Sequence, residues 1–484
     1  MKKILLFAAM VLVLFSCDGK SPAGDTAASE KITEAAEPED GKISIINERS
    51  KVPDNIAEED MGGMKFRLIT RSQHEEEFFI EEETGELVED AIYLRNIKIE
   101  DRFNIKFVPV TAGYDNTSAT VAKSVKSGDD AYDLVADNMT FVAATALTGS
   151  FLDYTGIDTV DLGRDWFLQD AVKEMSVNNR LFSLPGEACL TILEASYCYY
   201  FNKALIADLG LENPYGLVLD GKWTLDKFAG MIKGLYRDLD GDGKKSASDF
   251  YGFSAFNVSH PVAYTYASGM RITKRNPSGI PEFVVPSERL YSNFEKVFAL
   301  HCNNPDTFGA KLEEQAQAIE LFRNRQAVFV TETINLAKRL RDMEDDFGIV
   351  PFPKYDEEQE RYYTYSDGYA SMMAVPITVR DPERVGKIIS ALNAESWKTI
   401  IPQYYDVAIK LKFVRDDESV QVLDALLDGR VFDFGYVYDD RKGYAFYMWD
   451  LISVNNPNVA SHFEKVQRSA ERQLEKTINF FLDY

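Results

Sequence analysis

Between Lys65 and Ala136 the chain alternates strand-like apolar runs with helix-like stretches, and this alternation restricts its fold more tightly than any other feature. Lys65 to Thr70 (KFRLIT) reads as a strand, and Asp90 to Phe103 carries Ile92, Leu94, Ile97, Ile99 and Phe103 between charges at helical spacing. Ile105 to Val110 returns to a strand pattern, Thr117 to Ser127 to a helix, and Tyr132 to Ala136 (YDLVA) to a buried strand. A βαβαβ order predicts a parallel sheet covered by helices. Open sheets of this kind bind ligands at the carboxyl ends of their strands. That rule selects Arg71 and Ser72 after the first strand, and Asp137, Asn138 and Thr140 after the third.

A second feature divides the chain. Leu190 to Leu205 (LTILEASYCYYFNKAL) is apolar and aromatic but contains Glu194, and it reads as a strand passing from one body to another. An unpaired carboxylate is costly to bury, so Glu194 needs either a cationic partner in the core or a ligand in a cleft.

With 484 residues, 45% of them hydrophobic, the chain can bury the cores of two or three lobes. Its formal charge of −25 excludes phosphate-backbone recognition, which needs a basic patch. Lys2 and Lys3 precede an apolar run, Ile4 to Phe15, too short to remain as a membrane span. Leu14-Phe15-Ser16-Cys17 has the form of a bacterial lipobox, predicting a signal peptide over 1–16 and lipidation of Cys17. The next stretch, to residue 61, reads as a disordered acidic tether; residues 18–60 hold 12 acids and 5 bases and few aromatic groups. Cys189, Cys198 and Cys302 show no disulfide or redox spacing and read as small buried residues.

Further along, Trp223 to about Tyr236 reads as a helix with Thr224 as N-cap, running into an acidic loop from Asp238 to Asp249. Asp238, Asp240 and Asp242 occupy positions one, three and five of a calcium loop, with Gly243 at six and Asp249 at twelve. The carbonyl of Lys244 and the hydroxyl of Ser246 would complete an oxygen shell. Aspartate in place of glutamate at twelve, and Lys245 at eight, point to a lone structural calcium site rather than a paired sensor. Strands are expected at Arg180 to Pro185, Gly252 to Phe256, Ala327 to Thr331 and Phe347 to Phe352, and a basic helix at Ile334 to Met343. Gly368 to Pro376 reads as a second crossing, and a long helix from about Ala460 to Phe481 closes the chain.

The lipobox and tether, YDLVAD, LFSLPGEA, YYFNKAL, LENPYGLVLDGKWTLDKF, DLDGDGK, FRNRQAVFVTET, DFGIVPFPKYDEEQERYYT and FDFG, in this order, resemble the family 1 extracellular solute-binding proteins. These are the capture components of bacterial ABC importers, predominantly for sugars and oligosaccharides. The resemblance implies an α/β, two-lobed periplasmic-binding-protein-like fold with strand crossings at a hinge. Lobe one would comprise 62–192 plus 373–398, and lobe two 193–372 plus 399–484. It implies a monomer, lipid-anchored on the extracytoplasmic side of a membrane, that closes on a sugar and delivers it to ABC permease subunits. By the resemblance Glu194 presents an acid to the ligand, Glu332 faces the cleft from lobe two, and Asp367 and Tyr369 sit at the return crossing. Sugars need flat aromatic faces and hydrogen-bonding side chains, which adds Trp397 and Trp449 as stacking candidates, with Trp166 behind them and Trp223 assigned to structure.

Two rival functions remain open to the sequence. A secreted glycosidase would use paired carboxylates, though nothing in the order of residues singles out a pair. No H-E-x-x-H, G-x-S-x-G or Walker A pattern is present. A calcium-dependent surface lipoprotein would keep the anchor and the acidic loop without a closing cleft.

Overall fold

The computed structural model describes residues 48–114, 116–404 and 417–484. The signal peptide, Cys17 and the tether up to residue 47 lie outside the described residues. Among the described residues thirteen strands follow in chain order: β1 (Met64–Arg71), β2 (Ile105–Ala112), β3 (Leu134–Asn138), β4 (Tyr197–Asn202), β5 (Tyr251–Phe256), β6 (Thr273–Arg275), β7 (Pro281–Phe283), β8 (Thr307–Ala310), β9 (Ala327–Thr333), β10 (Phe347–Val350), β11 (Thr364–Tyr365), β12 (Ser371–Ala374) and β13 (Arg430–Val431).

Lobe one is built on the sheet β12-β3-β1-β2. β1 runs parallel to β2 in the register Met64↔Ile105 and parallel to β3 in the register Leu68↔Leu134, as the alternating pattern requires. The helix Leu87–Phe103 connects the first two strands and buries Ile92, Ile99 and Phe103. It ends on Asn104 in the left-handed region (φ 46°), which lets the chain reverse directly into β2. β12 arrives from far along the chain and pairs antiparallel with β3, Ser371 opposite Asn138.

Lobe two is built on β10-β4-β9-β5-β8. β4 is antiparallel to both neighbours, β9 and β10, whereas β5 is parallel to β9 and β8. Every residue of β4 is buried. Tyr197, Tyr199 and Phe201 join one apolar cluster and Cys198 and Tyr200 another, as expected for a central strand covered on both faces. Tyr199 stacks on Phe253 (5.4 Å, 16°), and its hydroxyl is hydrogen-bonded to that of Tyr264. Trp223 is structural, as expected: it is fully buried and its indole N–H donates to the Pro351 carbonyl at 2.8 Å. Thr224 caps the following helix by accepting from the Lys227 N–H.

The run Leu190 to Leu205 is not one strand. Thr191–Glu194 is a helical turn, and β4 starts only at Tyr197. The buried Glu77 carboxylate accepts from the Thr191 N–H (2.8 Å) and hydroxyl (2.7 Å), satisfying the start of that turn and overriding the extended preference of Thr191-Ile192-Leu193. Just beyond it the two passages between lobes meet. Ser196 bridges antiparallel to Ser366, and the Asp367 N–H donates to the Ala195 carbonyl at 3.0 Å.

Other expectations are corrected locally. Arg180 to Pro185 forms no strand, only isolated bridges from Arg180 to Val177 and from Leu184 to Met373. The helix expected over Ile334 to Met343 is reduced to Leu336–Arg339, and the helix after Thr224 stops at Ile232 rather than running into the acidic loop. The tether ends sooner than its composition suggests. Residues 48–61 lie against lobe one, with Met61 buried, Asp54 paired with Arg102, and Glu59 with Arg384 and Lys387. Those charges look solvated in sequence because their partners lie tens to hundreds of residues away. The three cysteines of the body are unpaired, and Cys189 and Cys198 are buried. Among the described residues no helix is long and apolar enough to cross a membrane.

Candidate functional site

Where the crossings meet, the lobes enclose a cavity of about 450 Å³. Lobe one contributes Tyr114 beyond β2, Asn138 at the carboxyl end of β3, and Thr140 and Phe141 from the helix Met139–Ala146. The return crossing contributes Asp367, Gly368 and Tyr369. Lobe two supplies Tyr197 at the start of β4, Glu332 and Thr333 at the end of β9, and Ser259, His260 and Gln315 beside them. Tyr436, Asp440, Arg441, Phe446 and Trp449 complete the wall.

The polar groups are held in set directions. Asp367 accepts from the Tyr197 hydroxyl at 2.8 Å and the Tyr369 N–H at 3.0 Å. Burial pushes its carboxyl above the usual range against the pull of these donors. Glu332 accepts from the Thr333 N–H at 2.9 Å and the Gln315 amide at 3.5 Å, with His260 Nε2 3.6 Å away. Burial pushes the His260 imidazole down, so it is neutral near pH 7. Tyr369 connects the lobes: its ring stacks on His74 (5.7 Å, 13°), its hydroxyl reaches Thr333 at 3.4 Å, and its carbonyl accepts from Arg71 at 2.7 Å. Arg441 lies over Phe446 (4.2 Å) and Trp449 (4.4 Å) and donates to Asp450 at 2.9 Å.

Of the residues selected from sequence, Asn138, Thr140, Glu332, Asp367, Tyr369 and Trp449 line this cavity. Arg71 lies behind it, fully buried, donating to Asn138, the Tyr369 carbonyl and Ser371, 3.7 Å from Asp137. Glu194 also lies behind the wall, its carboxylate 2.5 Å from the Lys338 ammonium. Its place in the structure is that of a salt-bridged acid beside the hinge. Trp397 is elsewhere, in the π-helical turn Ser396–Ile400, packed on Trp166 (6.4 Å) and under Arg49 (4.9 Å). Sequence reasoning missed Tyr114, Phe141, Tyr197, Tyr436, Arg441 and Phe446. The aromatic density of Tyr444 to Trp449 directly after the turn-forming Asp439 to Gly443 was the available signal for the last of these.

In the acidic loop the carboxylates of Asp238, Asp240 and Asp242 lie within 4.8 Å of one another, all exposed. Asp249 is turned the other way, accepting from the Leu239 and Ser246 N–H groups and the Tyr236 hydroxyl. The oxygen donors that converge suit a hard cation; Asp249 instead holds the loop closed.

No protein-family model matches the sequence, and no curated protein matches it. Solved structures do. The galacto-N-biose/lacto-N-biose I-binding protein of an ABC transporter from Bifidobacterium longum, in complex with lacto-N-biose, shares 12% identity at a TM-score of 0.59, over 86% of this chain and 98% of its own. An ABC substrate-binding protein from Listeria monocytogenes, in complex with cycloalternan, shares 15% at 0.54, over 86% and 100%. A maltose/maltodextrin-binding domain from Bdellovibrio bacteriovorus, bound to maltotriose, shares 13% at 0.54, over 85% and 100%. At these identities the likeness is one of fold: the chain has the two-lobed α/β fold of these solute-binding proteins.

Proposed function

We propose that the protein captures a carbohydrate in the interlobe cavity and delivers it to the membrane permease of an ABC importer, without chemical turnover. The observation that carries this reading is the cavity itself, in which aromatic rings alternate with carboxylate, amide and hydroxyl groups contributed by both lobes and by the crossing between them. Rings cover the apolar faces of a sugar while acids and amides accept from its hydroxyls. Because the polar set is divided between lobes, a solute makes all its contacts only when the lobes are together, and so shifts the population toward the closed form. The nature of the named structural neighbours, all saccharide binders, supports the same reading. Cys17 would carry the lipid that keeps the protein on the extracytoplasmic face, with the acidic segment after it as leash.

A saccharide library screened by thermal shift tests capture: saturable stabilisation without product formation is expected, and hydrolysis of any bound sugar would overturn it. Small-angle scattering should show a smaller radius at saturation. Cys17→Ser should move the protein from the membrane fraction to the soluble one.

We also propose a structural calcium at Asp238, Asp240 and Asp242, assisted by the Lys244 carbonyl and Ser246. The N–H of Asp242 pulls the Asp240 carboxyl down, but desolvation and then the charges of Asp242, Asp249 and Asp238 push it up, and the ion would offset that repulsion. Calorimetric titration should show binding that Asp240→Ala abolishes; no heat from the unmodified protein would end the proposal.

A further inference from the structure

The cavity contains an imbalance of charge that a neutral sugar leaves in place. Glu332, Asp367 and Asp440 face it, against one guanidinium, Arg441. That guanidinium is already bonded to Asp450 and lies over the rings of Phe446 and Trp449, and Asp440 is paired with Lys442. Glu332 and Asp367 stand apart from these. Among the described residues neither lies within ion-pair distance of a lysine or arginine, and the histidine between them, His260, is neutral. Two other buried acids near the hinge do have cations: Glu194 has Lys338, and Asp137 has Arg71. Burial, and after it the nearby Glu332 charge, raise the cost of ionising Asp367. Around them stand Tyr197, Tyr369 and Tyr436, whose rings attract cations, with Trp449 already under Arg441.

We propose that the captured saccharide is an amino sugar, or an oligosaccharide containing one, whose protonated amine sits beside Glu332 and Asp367. This rests on the saccharide-capture reading and narrows it. Two carboxylates answer one ammonium with charge-assisted hydrogen bonds, and the aromatic walls take both the sugar face and part of the cation. A neutral hydroxyl at the same carbon would recover only part of that interaction.

The test is calorimetry with matched sets that differ only at C2 of each ring: glucosamine, N-acetylglucosamine and glucose; their galacto counterparts; and the β-1,4-linked disaccharides chitobiose as free amine, diacetylchitobiose and cellobiose. The free-amine member is expected to bind at least tenfold more tightly than its acetylated and hydroxyl partners, and Glu332→Gln and Asp367→Asn should each narrow that gap. A neutral or acetylated sugar binding as tightly as its free-amine partner overturns the inference and leaves saccharide capture standing. Absence of binding across every set, with the protein folded by circular dichroism, overturns the inference alone where the library screen finds another saccharide bound, and overturns both where that screen finds none.

Discussion

Arg71 and His301 show opposite ways of burying an ionisable side chain, and each yields a distinct measurement. Arg71 is wholly buried and sits among Asp137, Asn138, Ser371 and the Tyr369 carbonyl, while Glu77, also buried, binds Ser371 and Thr191. Burial raises the Glu77 and Asp137 carboxyls, and the Arg71 charge opposes that rise in both. Arg71→Met would strip the acids of their cation, and a loss of about 3–5 kcal/mol in urea unfolding is expected, the range for breaking a buried pair. His301 is held neutral: burial first, and then His260, lower its pKa to about 3, while it bonds Asn257 at 2.8 Å and Tyr264 at 3.0 Å. As pH falls below the ordinary histidine value of about 6.5, the unfolded chain takes up a proton that the folded chain refuses, so stability is lost on acidification by up to about 1.4 kcal/mol per pH unit. His301→Asn should therefore be less stable than the parent at pH 7, with the gap closing toward pH 4. A gap that stays constant across that range would show that the imidazole titrates in the fold as it does in the unfolded chain. Neither arrangement can be read from sequence. Arg71 was visible as the residue ending a strand, but its burial depends on Ser371, 300 positions away. Trp397 failed as a stacking candidate for a related reason: its partner, Trp166, belongs to a loop-rich stretch with no periodicity to place it.

At the scale of elements, the strands and helices of lobe one were legible because each has its own apolar period, and of the residues that the carboxyl-end rule points to, Asn138 and Thr140 line the cavity while Arg71 and Asp137 do not. The crossings were legible only in outline. Thr191-Ile192-Leu193 carries extended propensity, and its helical turn exists because Glu77 waits at its N-terminus. The return crossing holds a residue whose size matters more than its chemistry. A Cβ added to Gly368 would stand 2.5 Å from the Tyr436 hydroxyl and 3.1 Å from the Thr140 methyl, the first in lobe two and the second in lobe one. Gly368→Val is thus a wedge at the point where the lobes approach. It should enlarge the scattering radius of the ligand-free protein and weaken saccharide binding at least tenfold, with a melting temperature close to the parent's because no core group is removed. Equal radius and affinity would place the pivot elsewhere than this crossing.

Over the whole molecule, the closing motion has to satisfy more than the two paired crossings. The last helix, Val459–Asp483, is about 38 Å long at 1.5 Å per residue and reaches both lobes. Near its start Phe463 packs on Tyr444 (4.9 Å) and Tyr447 (5.3 Å) of lobe two. At its end Phe480, Phe481 and Tyr484 surround Phe182, whose neighbour Leu184 bridges to β12 in the lobe-one sheet. Phe481 is fully buried and also meets Phe434 and Tyr438 of lobe two, so the end of the helix fills the joint between lobes rather than capping one of them. A tie of this kind at a distance from the cavity limits how far the open form can swing, since opening would have to pull a buried aromatic cluster apart at several kcal/mol. Ending the chain at Thr477 should widen the ligand-free ensemble, seen as a larger scattering radius, and reduce saccharide affinity through the lower population of the closed form, although no group lining the cavity is lost. The radius at saturation should match that of the full chain, because the sugar still brings both walls together. If the shortened protein instead kept the parent's ligand-free radius, the crossings alone would set the amplitude of opening, and the C-terminal aromatics would contribute stability without restraining the motion.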